Sequence, residues 1–206
     1  MNRLCSSLAG LCVLIFAFAA CKPKEVNQLS DAASALRTVF AAETAKLAGA
    51  TKQIVMIVPK VVPGATANLG DEFKSAFQKE GLSIVEIKAV DLGNPMRYAE
   101  YGLKVADLIE AIEKHPQAGA IVSLVGLPKI NHPGQVPAIH PPILVVATAQ
   151  IGMSPGVPAN PSVLMQMLDA KIIQVAIVDG SGTPTGKGDK ASQLFNQHYQ
   201  ILRASQ

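Results

Sequence analysis

Apolar and polar residues follow two periods along this chain, one typical of strands and one typical of helices. Short runs that are apolar throughout predict strands buried on both faces, and residues recurring three or four positions apart predict helices between them. The predicted strands cover 53–58, 83–90, 118–125, 143–147 and 172–178. The predicted helices cover 30–48, a segment opened by Asn68 and ended by Gly81, 101–114, and segments capped by Asn160 and Asp189.

The segment 83–90 differs from the other predicted strands because it carries charge. Glu86 and Lys88 share one face of the strand with Ile84, which favours a partly solvated strand at the edge of a sheet. In the helix that follows, Glu110 and Lys114 are four residues apart and are expected to pair. The tail 199–202 is compatible with more helix or with a sixth short strand.

The alternation of strands and helices indicates an α/β fold with a mostly parallel sheet covered on both sides. Right-handed crossovers between parallel strands then give a doubly wound arrangement. With 83–90 at the edge, we expect five strands in the flavodoxin-like order 2-1-3-4-5.

The composition is that of a globular protein. Hydrophobic residues make up 49% of the chain and charged residues 16%, so there is enough apolar surface for a core. The net charge of +3 is scattered, with no run of Lys and Arg and no interleaved aromatic residues. Nucleic acid is therefore not an expected partner.

The first 21 residues have the anatomy of an export signal. Arg3 is their only charge, and a mostly apolar run extends from Leu8 to Ala20. The run is too short to cross a bilayer as a stable helix, so it predicts a cleaved signal peptide over residues 1–20. Phe18-Ala19-Ala20-Cys21 resembles the lipobox of bacterial lipoproteins, in which Leu is more usual at the place of Phe18.

The resemblance implies that Cys21 becomes the first residue of the mature chain and carries a diacylglycerol on its thiol. Cysteine usage agrees, because Cys5 and Cys12 lie within the predicted signal and only Cys21 remains. Several acyl chains on one residue are enough for stable anchoring. Lys22 stands where an inner-membrane retention signal has Asp, which favours the periplasmic face of the outer membrane. An ordinary signal peptide with an unrelated Cys is the alternative.

We therefore expect a signal peptide at 1–20, a lipidated tether with an N-terminal helix at 21–50, and one α/β domain at 51–206. The segments Asp71–Phe77, Gly81–Val85 and Ala118–Val122 resemble the first helix, the edge strand that it feeds and the third strand of one lobe of the type I periplasmic binding proteins. That resemblance implies solute binding. Those proteins close two lobes on a ligand, whereas this chain has length for one, so a partner or a second copy would have to supply the other wall.

The segments that follow the predicted strands are long and rich in Gly or Pro, whereas those that precede strands are short. In a doubly wound sheet, ligands bind outside the carboxyl ends of the strands, so these loops predict a binding rim. Loops without any ligand are the alternative. The polar residues after strands are the candidate contacts: Lys60, Asn68, Asp91, Asn94, Arg97, Asn131, Thr148, Gln150, Asp179 and Ser181.

Two loop motifs are similar to catalytic or nucleotide-binding signatures but lack the chemistry. Gly152-Met153-Ser154-Pro155-Gly156 matches the G-x-S-x-G nucleophile elbow, yet Pro155 has no backbone N–H for an oxyanion hole. The segment 182–188 is similar to a P-loop, but its glycines are one residue too close and Gly188 replaces the Ser or Thr that would hold magnesium. A Gly/Pro turn and a flexible loop explain the two segments.

The histidines give no metal site. His132 and His140 lie in one loop, eight residues apart, with no carboxylate or Cys between them, and this spacing does not fit a zinc site. We expect no metal, no cofactor and no catalytic residue.

Three functions remain. The first is a membrane-anchored lipoprotein that binds a small solute or an envelope protein through its loops. The second is a structural envelope lipoprotein without a small ligand. The third is a hydrolase, for which the sequence offers no convincing nucleophile or acid/base pair. A dimer of this chain is a further partner that the sequence leaves open.

Overall fold

The computed structural model describes residues 24–60, 69–94, 96–97, 101–128, 130–148, 161–180 and 188–205. Helices and strands alternate from the start. The helices are α1 (Lys24–Ala48), α2 (Leu69–Lys79), α3 (Val105–Lys114), α4 (Pro161–Asp169) and α5 (Lys190–His198). The strands are β1 (Gln53–Pro59), β2 (Ser83–Val90), β3 (Ala120–Ser123), β4 (Ile143–Ala147), β5 (Val175–Asp179) and β6 (Tyr199–Arg203).

The strands form one sheet in the order β2-β1-β3-β4-β5-β6. The first five are parallel, which confirms the predicted order 2-1-3-4-5. The tail that the sequence left open is a strand, and β6 pairs antiparallel with β5 from Tyr199 beside Asp179 to Arg203 beside Val175. The two edges of the sheet are therefore β2 and β6.

One face of the sheet is covered by α1, α2 and α5, and we call it the α1 face. Phe40 of α1 packs against both Phe73 and Phe77 of α2, with ring centroids 5.7 Å and 6.0 Å from its own. Phe195 of α5 belongs to the same buried cluster, together with the side chains that β1 and β3 direct to this side. Aromatic packing thus joins helices that are distant in sequence to one side of the sheet.

The opposite face, which we call the α3 face, is covered by α3 and α4. Leu108 and Ile112 of α3 and Leu164 and Leu168 of α4 are buried in one cluster with strand residues such as Val55. Burial on both faces explains why β1, β3 and β4 are apolar without alternation, because every side chain of such a strand leaves water.

Helix α1 begins at Lys24, six residues before the predicted start at Ser30. The residues 24–29 contain no Gly or Pro and include several good helix formers, so their local preference extends the helix through a segment whose polarity suggested a tether. Near its other end, Glu43 accepts hydrogen bonds from Lys46 and from Arg203 of β6. Burial raises the pKa of Glu43, but these hydrogen bonds outweigh burial and the net pKa is lowered.

The end of α1 approaches the sheet so closely that a side chain there has no room. Gly49 ends the helix with a φ of +57°, as the sequence predicts. At Gly119, just before β3, a Cβ atom would lie 2.6 Å from the carbonyl oxygen of Ala48. A contact that short requires the backbone of α1 or of β3 to shift.

Replacement of Gly119 by Ala therefore tests how firmly α1 is seated. We expect Gly119→Ala to lower the free energy of unfolding by about 1–3 kcal/mol, because the new methyl group meets backbone rather than a flexible side chain. Gly134→Ala is the matched control, since its Cβ would be 3.5 Å from the His132 ring, an ordinary contact. Urea denaturation measures both variants. Equal stability of the two would show that α1 yields easily.

Candidate functional site

The five parallel strands end at one edge of the sheet, which we call the carboxyl edge. The strand order reverses at β1, whose neighbours are β2 on one side and β3 on the other. Doubly wound sheets bind their ligands beside such a switch point. The sites to compare are therefore the residues that directly follow each parallel strand.

Seven of the ten candidate contacts lie in the described residues: Lys60, Asp91, Asn94, Arg97, Asn131, Thr148 and Asp179. Asn68, Gln150, Ser181 and the expected lipidation residue Cys21 lie outside them. The nucleophile-elbow motif at 152–156 and most of the segment 182–188 also fall outside the described residues.

Lys60 and Asp91 are neighbours at the ends of β1 and β2. Pro59 lies beside Val90 in the parallel register, and the Lys60 backbone N–H donates to the Val90 carbonyl at 2.8 Å. Both Lys60 and Asp91 are exposed. The positively charged Lys60 and the carboxylate of Asp91 therefore lie side by side, on the β2 side of the switch point.

The loop after β2 uses its polar side chains to hold its own shape. The Asp91 carboxylate accepts a hydrogen bond from the Gly93 N–H at 2.9 Å, and the Asn94 side chain accepts one from the Met96 N–H at 2.9 Å. Short Asp and Asn side chains commonly stabilise turns in this way. The Arg97 N–H donates to the Asn94 carbonyl and continues the turn.

Thr148 and Asp179 form a second group at the ends of β4 and β5. Ala147 lies beside Val178 in the register, so the residues that follow, Thr148 and Asp179, are also neighbours. Thr148 is buried and Asp179 is exposed. Asp179 lies opposite Tyr199, the first residue of β6.

Tyr199 was not among the candidates because its place depended on how the tail folds. It is only 2% exposed and packs against Phe195, with ring centroids 5.5 Å apart. Burial raises the pKa of the Tyr199 hydroxyl, and the Asp179 carboxylate raises it further, against a smaller opposite effect of Arg37. The hydroxyl therefore stays protonated well above neutral pH.

The two groups are spread along the carboxyl edge. Neighbouring strands are about 4.8 Å apart, so Lys60 and Thr148, which are two strands apart, lie roughly 10 Å apart, and the outer members Asp91 and Asp179 lie roughly 19 Å apart. The carboxyl edge thus offers a Lys60/Asp91 group and a Thr148/Asp179 group rather than one converging site.

The connection between β3 and β4 covers part of the α3 face, a role that its sequence did not indicate. It returns to the amino end of the sheet without an α-helix, and Leu127, Ile130 and Val136 pack against the α3 face along the way. The Ile121 N–H, near the start of β3, donates to the Pro142 carbonyl at the end of this connection. The length of the segment is therefore explained largely by the distance that it must cover.

Asn131 lies on this crossing segment, exposed, and its backbone N–H donates to the Gln135 side chain at 2.6 Å. Ser123, which the sequence did not single out, ends β3 next to the switch point. Its hydroxyl donates to the Gly126 carbonyl at 2.7 Å, so Ser123 shapes the turn out of the strand. A serine within an apolar run was the only sequence signal for it.

The charged side chains of β2 pair with α3 on the α3 face. Ile84, which the sequence placed on the same face as Glu86 and Lys88, instead packs against the α1-face cluster, because the register with β1 shifts between Ile84 and Glu86. Lys114 Nζ is 2.9 Å from one Glu86 oxygen, and His115 Nε2 contacts the other. Lys88 Nζ is 2.7 Å from a Glu110 oxygen. The expected pairing of Glu110 with Lys114 along the helix was wrong, because both side chains instead bind charges on the neighbouring strand.

Within the described residues, no group of three or more His, Cys, Asp or Glu side chains could hold a metal ion. His132 is exposed, and the His140 ring lies 2.7 Å from the Pro141 carbonyl oxygen. In the described part of the chain, no helix is both long enough and apolar enough to cross a membrane.

Comparison with known proteins gives no further assignment, since no family model, curated protein or solved structure matches the chain.

The ion pairs on β2 predict a pH dependence of stability. Hydrogen bonds from Lys114 and His115 lower the pKa of Glu86 below its ordinary value of 4.5. A lowered folded pKa stabilises the native state above the unfolded pKa, and the contribution is lost as pH falls through the folded pKa. We expect Glu86→Gln to reduce the free energy of unfolding at pH 7 by about 1 kcal/mol or less, because the site is partly solvated.

The difference between wild type and Glu86→Gln should shrink as pH falls below about 4.5. Glu80→Gln, at an exposed position in the turn after α2, serves as the matched control. Thermal or urea unfolding from pH 3 to pH 7 measures both. A difference for Glu86→Gln that is constant across this range would contradict the assignment.

Proposed function

We propose that the protein is a lipoprotein, anchored to a membrane through Cys21, that binds a partner at the carboxyl edge of its sheet. The observation that supports the anchoring is the apolar run 8–20, which ends in the lipobox-like motif Phe18-Ala19-Ala20-Cys21. No Cys follows Cys21 in the sequence. The preferred location is the periplasmic face of the outer membrane.

The start of α1 gives the proposed anchor a mechanical consequence. Only Lys22 and Pro23 separate Cys21 from the first residue of the helix. Two residues span at most about 7 Å when extended, so the domain would be held at the membrane surface rather than on a long tether. Anything that it binds must then come to that surface.

The spread of polar residues along the carboxyl edge favours an extended partner over a small solute. Lys60 and Thr148 are roughly 10 Å apart and Asp91 and Asp179 roughly 19 Å apart, and a protein surface contacts all four. Lys60, Asp91 and Asp179 are exposed there, with both signs of charge represented. We therefore favour an envelope protein with complementary charges, and a small solute at one group is the alternative.

A structural lipoprotein without a ligand is the second candidate. It is favoured by Asp91 and Asn94, whose side chains stabilise their own loop, and by the β3–β4 connection, whose length serves the fold.

The anchoring is tested by the mass of the protein extracted from membranes in detergent. We expect a mass that lacks residues 1–20 and includes a diacylglycerol on Cys21. Cys21→Ala should leave the protein without the lipid and move it to the soluble fraction, while Cys12→Ala, within the predicted signal, should change neither. A mature chain that begins elsewhere, or a wild-type protein without lipid, would refute the proposal.

Partner binding is tested by cross-linking the lipidated protein in cells. The double exchange Lys60→Glu with Asp179→Lys reverses the charge at one exposed residue of each group without changing the net charge. We expect at least about a tenfold loss of the captured partner, since like charges then face each other across the interface. The control exchange Lys79→Glu with Glu80→Lys makes the same change at the amino end of β2.

Equal capture by both double variants would refute binding at the carboxyl edge. Native mass spectrometry of the same preparations distinguishes the alternative, because a bound small solute adds its mass to the folded domain.

A further inference from the structure

The edge strand β2 has an outer side on which no other strand lies, among the residues that the structure describes. The Val90 carbonyl accepts a hydrogen bond from Lys60, so Val90 directs its backbone groups toward β1. Because backbone groups alternate along a strand, Ile87 and Ala89 direct theirs away from the sheet. β2 is eight residues long but irregular at Val85, so the regular stretch Glu86–Val90 is the part of this open edge that can accept another strand.

On β2, several apolar side chains are more exposed to solvent than the charged ones, which is unusual for an edge strand. Val85 and Ile87 are 41% and 44% exposed, while Glu86 and Lys88 are less exposed than their apolar neighbours. The two charges are held by ion pairs with α3. Charged side chains usually protect an edge from pairing, but here they are fixed in place and balanced in sign.

The sequence of β2 is complementary to itself around Ile87. If a second copy pairs antiparallel with a two-fold axis at Ile87, each Glu86 lies opposite Lys88 of the second copy. The two Ile87 side chains meet at the axis, whereas Val85, which the register with β1 skips, lies just outside the regular stretch Glu86–Val90. Residues directly opposite each other in an antiparallel pair share a face, so charges meet on the α3 face and apolar residues meet on the other face.

No neighbouring register offers the same match. An axis at Glu86 places the two Glu86 side chains opposite each other, and an axis at Lys88 does the same for the two lysines. A slip by a single residue places charged side chains against Val85 or Ile87, because it exchanges the faces of the strand. Opposed like charges destabilise a pair, and opposed unlike charges stabilise it.

We propose that β2 is a homodimer interface, in which two copies of this chain join their sheets antiparallel through a two-fold axis at Ile87. The second copy is the occupant because both the charges and the apolar residues of β2 match themselves in one register. The axis is perpendicular to the joined sheet, so both copies carry α1 on the same side. The interface does not depend on the proposed lipid anchors.

Charge reversal and mixing test this register directly. In Glu86→Lys, two lysines face each other at both pairs, and in Lys88→Glu, two glutamates do. We expect each purified full-length variant to have a dimer dissociation constant at least about tenfold above that of the wild type, measured by analytical ultracentrifugation. An equal mixture of the two should form a heterodimer, because every Lys then lies opposite a Glu. Native mass spectrometry resolves that heterodimer by its mass.

Restoration on mixing separates the interface from damage to the fold. Each substitution also removes an ion pair with α3, and a variant that merely unfolds would not be rescued by the other. Heterodimer formation with weakened homodimers supports the proposal. A monomeric wild type at about 100 µM, or variants that show no preference for each other in the mixture, would overturn it.

Ile87→Lys tests the apolar part of the interface. It places two ammonium groups at the axis and should raise the dimer dissociation constant at least about tenfold. Because position 87 is half-exposed, the circular dichroism spectrum of the variant should remain that of the native protein. Ile139→Lys is the matched control, because Ile139 is 94% exposed on the β3–β4 connection. If both variants keep the wild-type dissociation constant, the interface lies elsewhere and the proposal fails.

Discussion

The burial of a parallel sheet on both faces is the constraint from which the remaining structure follows. A parallel strand cannot return directly to its neighbour, so each connection must cross a face of the sheet and cover it. Four helices do so between or after the parallel strands, and the β3–β4 connection does so with Leu127, Ile130 and Val136. Helix α1 covers the rest of its face, where Phe40 packs against both Phe73 and Phe77.

The fold was accessible from the sequence because that constraint leaves a strong pattern. Strands buried on both faces are apolar throughout, and 143–147 was predicted with the bounds that β4 has. The charges in 83–90 correctly placed β2 at an edge. The start of α1 was missed because polarity resembled a tether, whereas packing of Ala32, Leu36 and Phe40 supports a helix that continues back to Lys24.

Contacts between helices and strands were much harder to predict from the sequence. Glu110 and Lys114 have the spacing of a helical pair, but a single sequence does not reveal that β2 brings Glu86 and Lys88 within reach of both. The same holds for Tyr199, whose burial beside Phe195 required the tail to return as β6. Chain order placed candidate contacts after strands, yet it did not show that they separate into two groups or that Asn131 lies on a crossing segment.

The proposed anchoring acts through α1, whose carboxyl end lies against Gly119 just before β3. If α1 is an integral part of the core, a lipid on Cys21 is joined to the folded domain by only two residues. If α1 instead detaches readily, the domain hangs from a long and variable segment. The distance between the domain and the membrane therefore depends on how tightly α1 is bound to the sheet.

Amide hydrogen exchange measures this directly. We expect the amides from Leu36 to Ala45 to exchange as slowly as those of β1 and β3, through the same global unfolding event. If the α1 amides exchange orders of magnitude faster than those of these strands, the helix opens independently. That result would contradict a helix held firmly against the sheet.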